Sequence, residues 1–93
     1  MEVSLLNKFN EWDQKNPEVY DLFIKFTLQA MRAGHKHLSA WMIVNRIRWE
    51  TSIVTKGDDF KISNDFIALY ARKFMAEHPE HKGFFRLRPM KRA

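Results

Sequence analysis

The chain contains no cysteine. Thiol catalysis, disulfide frameworks and cysteine zinc sites are therefore excluded, and the composition fits a reducing compartment. Glycine and proline are sparse, at three residues each. There is no Gly-rich phosphate loop, no internal repeat and no low-complexity linker. No apolar run approaches the ~20 residues of a membrane span. The N-terminus, Met1-Glu2-Val3-Ser4-Leu5-Leu6, lacks the basic start and long apolar stretch of a secretory signal. The expectation is a cytoplasmic protein with no membrane partner. Ninety-three residues form one domain, residues 1–93, able to bury a real but shallow core.

What is present is apolar residues and positive charge. The hydrophobic fraction of 45% is too high for a disordered chain. The net charge of +5 is unevenly spread: residues 1–31 hold three bases and five acids, whereas residues 32–93 hold thirteen bases and six acids. An acidic first third followed by a basic remainder points to a polyanionic partner.

Periodicity predicts helices. Leu5, Leu6, Phe9 and Trp12 share a face over residues 4–14. Asn16-Pro17-Glu18 is a strong helix start, with asparagine as N-cap, proline at the first helical position and an acid at the positive end of the dipole. That helix carries Val19, Phe23, Phe26, Ala30 and Met31 and stops at Gly34, which suits a left-handed C′ position. Ser39 caps a helix over residues 40–50 with a stripe of Trp41, Val44 and Ile47, Arg46 and Arg48 lying on its flank. Here Trp41 reads as a core anchor. Residues 51–62 read either as a small hairpin around Lys56-Gly57-Asp58-Asp59 or as a loop with the preceding helix extended into it. Ser63 or Asn64 caps a further helix over residues 63–78, with Phe66, Ile67, Tyr70, Ala71, Phe74 and Met75 on one face and an i,i+4 pair, Lys73 with Glu77, on the other. Pro79 ends it. Residues 83–88 read as a short strand or extended arm, followed by a basic tail with Lys91 and Arg92.

The predicted fold is therefore mainly α, with three to four helices, a small β or extended C-terminal element, and a winged-helix-like arrangement. Its expected core comprises Phe23, Phe26, Trp41, Val44, Ile47, Ile67, Tyr70, Phe74 and Phe85.

Chemistry-bearing constellations are thin. His35-x-His37 and His78-Pro79-Glu80-His81 fall short of a zinc ligand set; the second pair sits where a helix dipole alone favours histidine. Asp58-Asp59 beside Gly57 reads as turn chemistry. With Glu50 and Lys61 it loosely matches a carboxylate–lysine nuclease core, without the β structure such a core needs. There is no HExxH and no nucleophile elbow. The expectation is no catalytic residue, no metal and no cofactor.

The order of elements favours DNA. In a winged helix the last helix enters the major groove and the following arm lies along the backbone. Asn64 would face base edges, and Arg72, Lys73, Arg86, Arg88, Lys91 and Arg92 would contact phosphates. Two features oppose this: a link of about twelve residues between the helices, where three or four are usual, and the negative charge of Asp65.

The segments Arg46-Ile47-Arg48-Trp49-Glu50-Thr51, Phe60-Lys61-Ile62-x-Asn64, Tyr70-Ala71-Arg72, Phe74-Met75, His78-Pro79 and Phe84-Phe85 before Arg86 and Arg88 together resemble a family of short bacterial and phage proteins of unknown function, over residues 9–88. This chain carries Asp65 where that family has a second asparagine. The resemblance implies a shared fold and a phage-associated setting, and transfers no functional residue. It opens a second reading: a small inhibitor or adaptor that docks on a host or phage protein through anchors such as Trp12, Trp49 and Phe84. A third is homodimerisation through Leu5, Phe9 and Trp12.

Overall fold

The computed structural model describes residues 2–54 and 62–86. Four α-helices run in chain order: α1 (Glu2–Lys15), α2 (Pro17–Arg32), α3 (Ala40–Val54) and α4 (Ile67–Glu77). A 3₁₀ turn over Asn64–Phe66 leads into α4, and another over Pro79–His81 follows it. The protein is mainly α; no strand forms among the described residues. Helix α2 touches each of the other three.

Local signals explain the ends of α2. Pro17 opens it and Gly34 lies just beyond it at φ +104°. The His35 N–H donates to the Ala30 carbonyl at 3.1 Å and the Gly34 N–H to Met31 at 3.0 Å, a Schellman closure that satisfies the last carbonyls. A Cβ on Gly34 would meet nothing within 4 Å, so an alanine there suffers only from its backbone. We expect Gly34→Ala to destabilise the fold by ~1–2 kcal/mol, read as a lower urea midpoint at unchanged m-value; an unchanged midpoint would refute the left-handed assignment.

Asn16 behaves differently from the expected N-cap. It makes no side-chain cap bond to α2. Instead its Nδ2 donates to the Trp12 carbonyl at 3.1 Å, as does its backbone N–H at 2.9 Å. With a single residue between two helices, the amide closes α1 instead of opening α2. Ser39 does cap α3: its Oγ accepts from the Trp41 N–H at 3.1 Å. Ser63, the other proposed cap, accepts from the Asp65 N–H.

Helix α3 continues past Glu50 to Val54, which extends it into the segment read as loop or hairpin. Residues 55–61, with the Asp58-Asp59 turn and Lys61, lie outside the described residues.

The core is dominated by aromatic rings. Phe23, Tyr70 and Phe74 are fully buried. The Phe23 ring lies 5.6 Å from Tyr70 and 5.3 Å from Phe85, and Phe9 meets Tyr70 edge-on at 4.9 Å, geometries that suit the ring quadrupole. Most expected core residues are there, with two departures. Ile67 is half-buried. Trp41 is 58% exposed, because the buried arc of α3 runs through Ile43, Val44 and Ile47 and leaves position 41 outside it.

A polar seam joins α1 and α2 to α4. The Trp12 Nε1–H donates to the Tyr70 hydroxyl at 2.7 Å, and the Tyr20 hydroxyl donates to Glu77 at 2.7 Å. Lys73 forms an ion pair with Asp13 and lies 4.1 Å above the Tyr20 ring. The expected Lys73–Glu77 pair is thus replaced by two contacts to other helices. Apolar Phe9 and Trp12 are likewise engaged within the chain, on Phe66 and Tyr70.

The C-terminal segment is not a free arm over residues 84–86. Gly83 turns the chain at φ +88°, and Phe84 and Phe85 are then both buried. The Leu38 N–H donates to the Phe84 carbonyl at 3.1 Å, pinning this segment to the α2–α3 connection.

Candidate functional site

Three parts of the chain meet around an open groove of about 910 Å³. The α2–α3 connection and the first turn of α3 supply His37 and Trp41, α4 and its 3₁₀ entry supply Asn64 and Arg72, and the C-terminal segment supplies Arg86. Small side chains, Ala40, Ala68 and Ala71, are among its lining and leave room between the walls. Among the described lining residues there is no aspartate or glutamate, and two are arginines, Arg72 and Arg86.

Each wall has a local cause. The Ser39 cap fixes the first turn of α3 and with it Trp41. Asn64 is held by Arg48, whose Nη2 donates to Asn64 Oδ1 and to the Ile62 carbonyl, each at 2.6 Å, while Nη1 reaches Asn45 Oδ1 at 3.3 Å. The Leu38–Phe84 bond sets the last wall and leaves Arg86 exposed beside it.

Three described carboxylates are engaged elsewhere. Asp13 and Glu77 belong to the seam with Lys73 and Tyr20, and Glu50 pairs with Arg46 at 3.2 Å. Helix α4 therefore has two polar sides: Arg72 lines the groove, and Lys73 and Glu77 serve the seam. Asp65, next to Asn64, is exposed but does not line the groove.

Of the residues assigned to nucleic acid, Asn64, Arg72 and Arg86 are brought together here. Lys73 is half-buried and engaged by Asp13, so it is not available as a phosphate contact on this face. Arg88, Lys91 and Arg92 lie outside the described residues. Of the proposed protein anchors, Phe84 is only 4% exposed, since the turn at Gly83 folds it inward. Trp12 is half-buried against Tyr70 and Phe66. Trp49 alone stands out, at 66% exposure.

Three contributors escaped sequence reasoning. Trp41 reads as a core anchor from its stripe with Val44 and Ile47; a wheel started from Ile43 and Ile47 places it outside. His37 lies in a polar connection with no local signal of a groove. Arg48 reads as a flanking charge, and only the fold brings Asn64 to it across 16 positions.

The histidine motifs show no ligand geometry. His78 Nδ1 and His81 Nε2 lie 3.5 and 4.0 Å from Glu80, and both imidazoles pack near the Phe74 ring. The Glu80 carboxyl is held below its ordinary range by its own backbone N–H, with His78 and His81 adding to the effect. Among the described residues no group of three or more His, Cys, Asp or Glu is placed to hold a metal. No described helix is long and apolar enough to cross a membrane. No protein family matches the sequence, and neither a curated protein nor a solved structure is similar to it.

Proposed function

We propose that this chain is a non-catalytic DNA-binding protein that takes its ligand in the groove between α3, α4 and residues 84–86. The observation that carries the reading is the convergence of Arg72, Arg86 and Asn64 on a concave surface with no carboxylate among its described lining residues. Guanidinium groups bond phosphate oxygens in pairs and position a strand, and the field of a basic cleft raises local ligand concentration. The winged-helix-like arrangement enters this reading in altered form: α4 with its 3₁₀ entry is the recognition helix, flanked by a C-terminal segment anchored through Phe84 and Phe85. The phage-associated, regulatory setting rests on the resemblance given by the sequence.

The test is fluorescence anisotropy on labelled DNA fragments, titrated from low to physiological salt, for the native chain and Arg72→Ala/Arg86→Ala. Charged hydrogen bonds contribute about 1.5–3 kcal/mol each, so the double variant is expected to bind at least ~10-fold more weakly. Its log–log salt slope should flatten by about two. Equal affinity and slope for the two proteins would remove the groove from the binding surface.

A second reading is favoured by one observation: Trp41, Met42 and Trp49, all on α3, are exposed large apolar side chains. Exposed apolar side chains of this kind suit docking on a host or phage protein, as an inhibitor or adaptor does. Capture of a protein partner that is lost in Trp49→Ala and kept in Arg72→Ala/Arg86→Ala would favour it over DNA.

A further inference from the structure

The groove's aromatic wall bears on which form of nucleic acid it takes. We infer that, granted nucleic-acid binding at this groove, the ligand is a single strand whose unpaired bases stack on Trp41 and continue along α3 to Trp49. Among the described residues sixteen apolar side chains are buried in the core, yet two of the three tryptophans of the chain remain more than half exposed, at 58% and 66%. An indole left in water is a platform without its stacking partner. Every base presents a π-face, and stacking on an aromatic side chain beside a basic groove is how single strands are held without sequence preference. A duplex hides those faces and offers only base edges, which an indole reads poorly.

Position supports the assignment. Trp41 lines the same groove as Arg72 and Arg86, so backbone contacts and a stacking surface face one ligand. Trp49 follows eight residues later, about 12 Å along α3 and, at 100° per residue, about 80° round the helix, on the face adjoining that of Trp41. Between the two lie Asn45 and Arg48, the latter bonded to Asn64 at the groove. Glu50, the carboxylate beside Trp49, is paired with Arg46 at 3.2 Å, so it does not leave an unpaired negative charge along this track.

The experiment compares a fluorescein-labelled twelve-nucleotide oligothymidine with a duplex of the same length, using the full chain and the variants Trp41→Ala, Trp49→Ala and Arg72→Ala/Arg86→Ala. Both indoles are exposed, so far-UV circular dichroism should show unchanged helix content. We expect the single strand to bind about tenfold or more tightly than the duplex, to quench tryptophan fluorescence, and to lose about tenfold in Trp41→Ala while duplex affinity stays constant. Tighter duplex binding that depends on Arg72 and Arg86, with no effect of Trp41→Ala, overturns the single-strand inference and leaves the DNA-binding proposal standing. If neither form binds, both fall, and the α3 face becomes a protein-docking surface.

Discussion

Replacing Phe23 by alanine should remove about 3–5 kcal/mol of stability, a large share of the ~5–15 kcal/mol that holds a domain together. Phe23 has no exposed surface. Its ring sits between α4 and the C-terminal segment, at 5.6 Å from Tyr70, 6.2 Å from Phe74 and 5.3 Å from Phe85. These neighbours are themselves large and buried, and each is fixed by further rings, so they cannot close over the vacated space. The loss therefore combines lost transfer free energy with a residual cavity. Urea denaturation followed by far-UV circular dichroism gives the number directly. A loss below ~1 kcal/mol would mean that the helices repack, and the central position of α2 would need revision.

The second large effect is alkaline. The chain has two tyrosines, Tyr20 and Tyr70, and both phenols are pushed above their ordinary value. Burial is the leading cause in each case, and the Glu77 carboxylate opposes the charged form of Tyr20 further. A folded value raised above the unfolded one means that the neutral phenol is preferred in the fold. The stability this contributes is complete below pH ~10, the unfolded value, and is lost as pH rises through the folded values. In that window the unfolded chain has released protons that the folded chain retains. Stability then falls by about 1.4 kcal/mol per pH unit for each tyrosine. Absorbance at 295 nm should stay flat past pH 10 and then rise together with the loss of helix signal. Ionisation of either phenol near pH 10 with helix content intact would contradict the burial of that ring.

Much of this architecture is legible locally. Pro17 and Gly34 bracket α2 because a first-turn proline and a left-handed glycine act within a few residues of chain. Phe23, Val44, Ile47, Tyr70 and Phe74 are buried where their spacing places them. What was not legible depends on partners distant in sequence. The Lys73 ammonium leaves its i+4 acid because Asp13, 60 positions away, offers a half-buried carboxylate beside the Tyr20 ring. Phe84 turns inward because Gly83 and the Leu38 N–H bend the segment back. Trp41 stands outside the core because Ile43 and Ile47 complete the apolar arc without it. For the candidate site the same division holds. Asn64, Arg72 and Arg86 are marked by residue type, but the groove that joins them, and the role of Trp41 in its wall, arise only when three segments meet.

The seam between α1 and α4 also has a consequence for how the protein is made. Its contacts join positions 58 and 60 residues apart, Trp12 with Tyr70 and Asp13 with Lys73. Synthesis proceeds at ~5–20 residues per second, N-terminus first, so the first helix waits roughly 3–12 s for its partner to be made. During that interval Phe9 and Trp12 have no α4 to cover them. The nascent chain thus carries a short uncovered aromatic ridge, and the seam cannot close before α4 has been made.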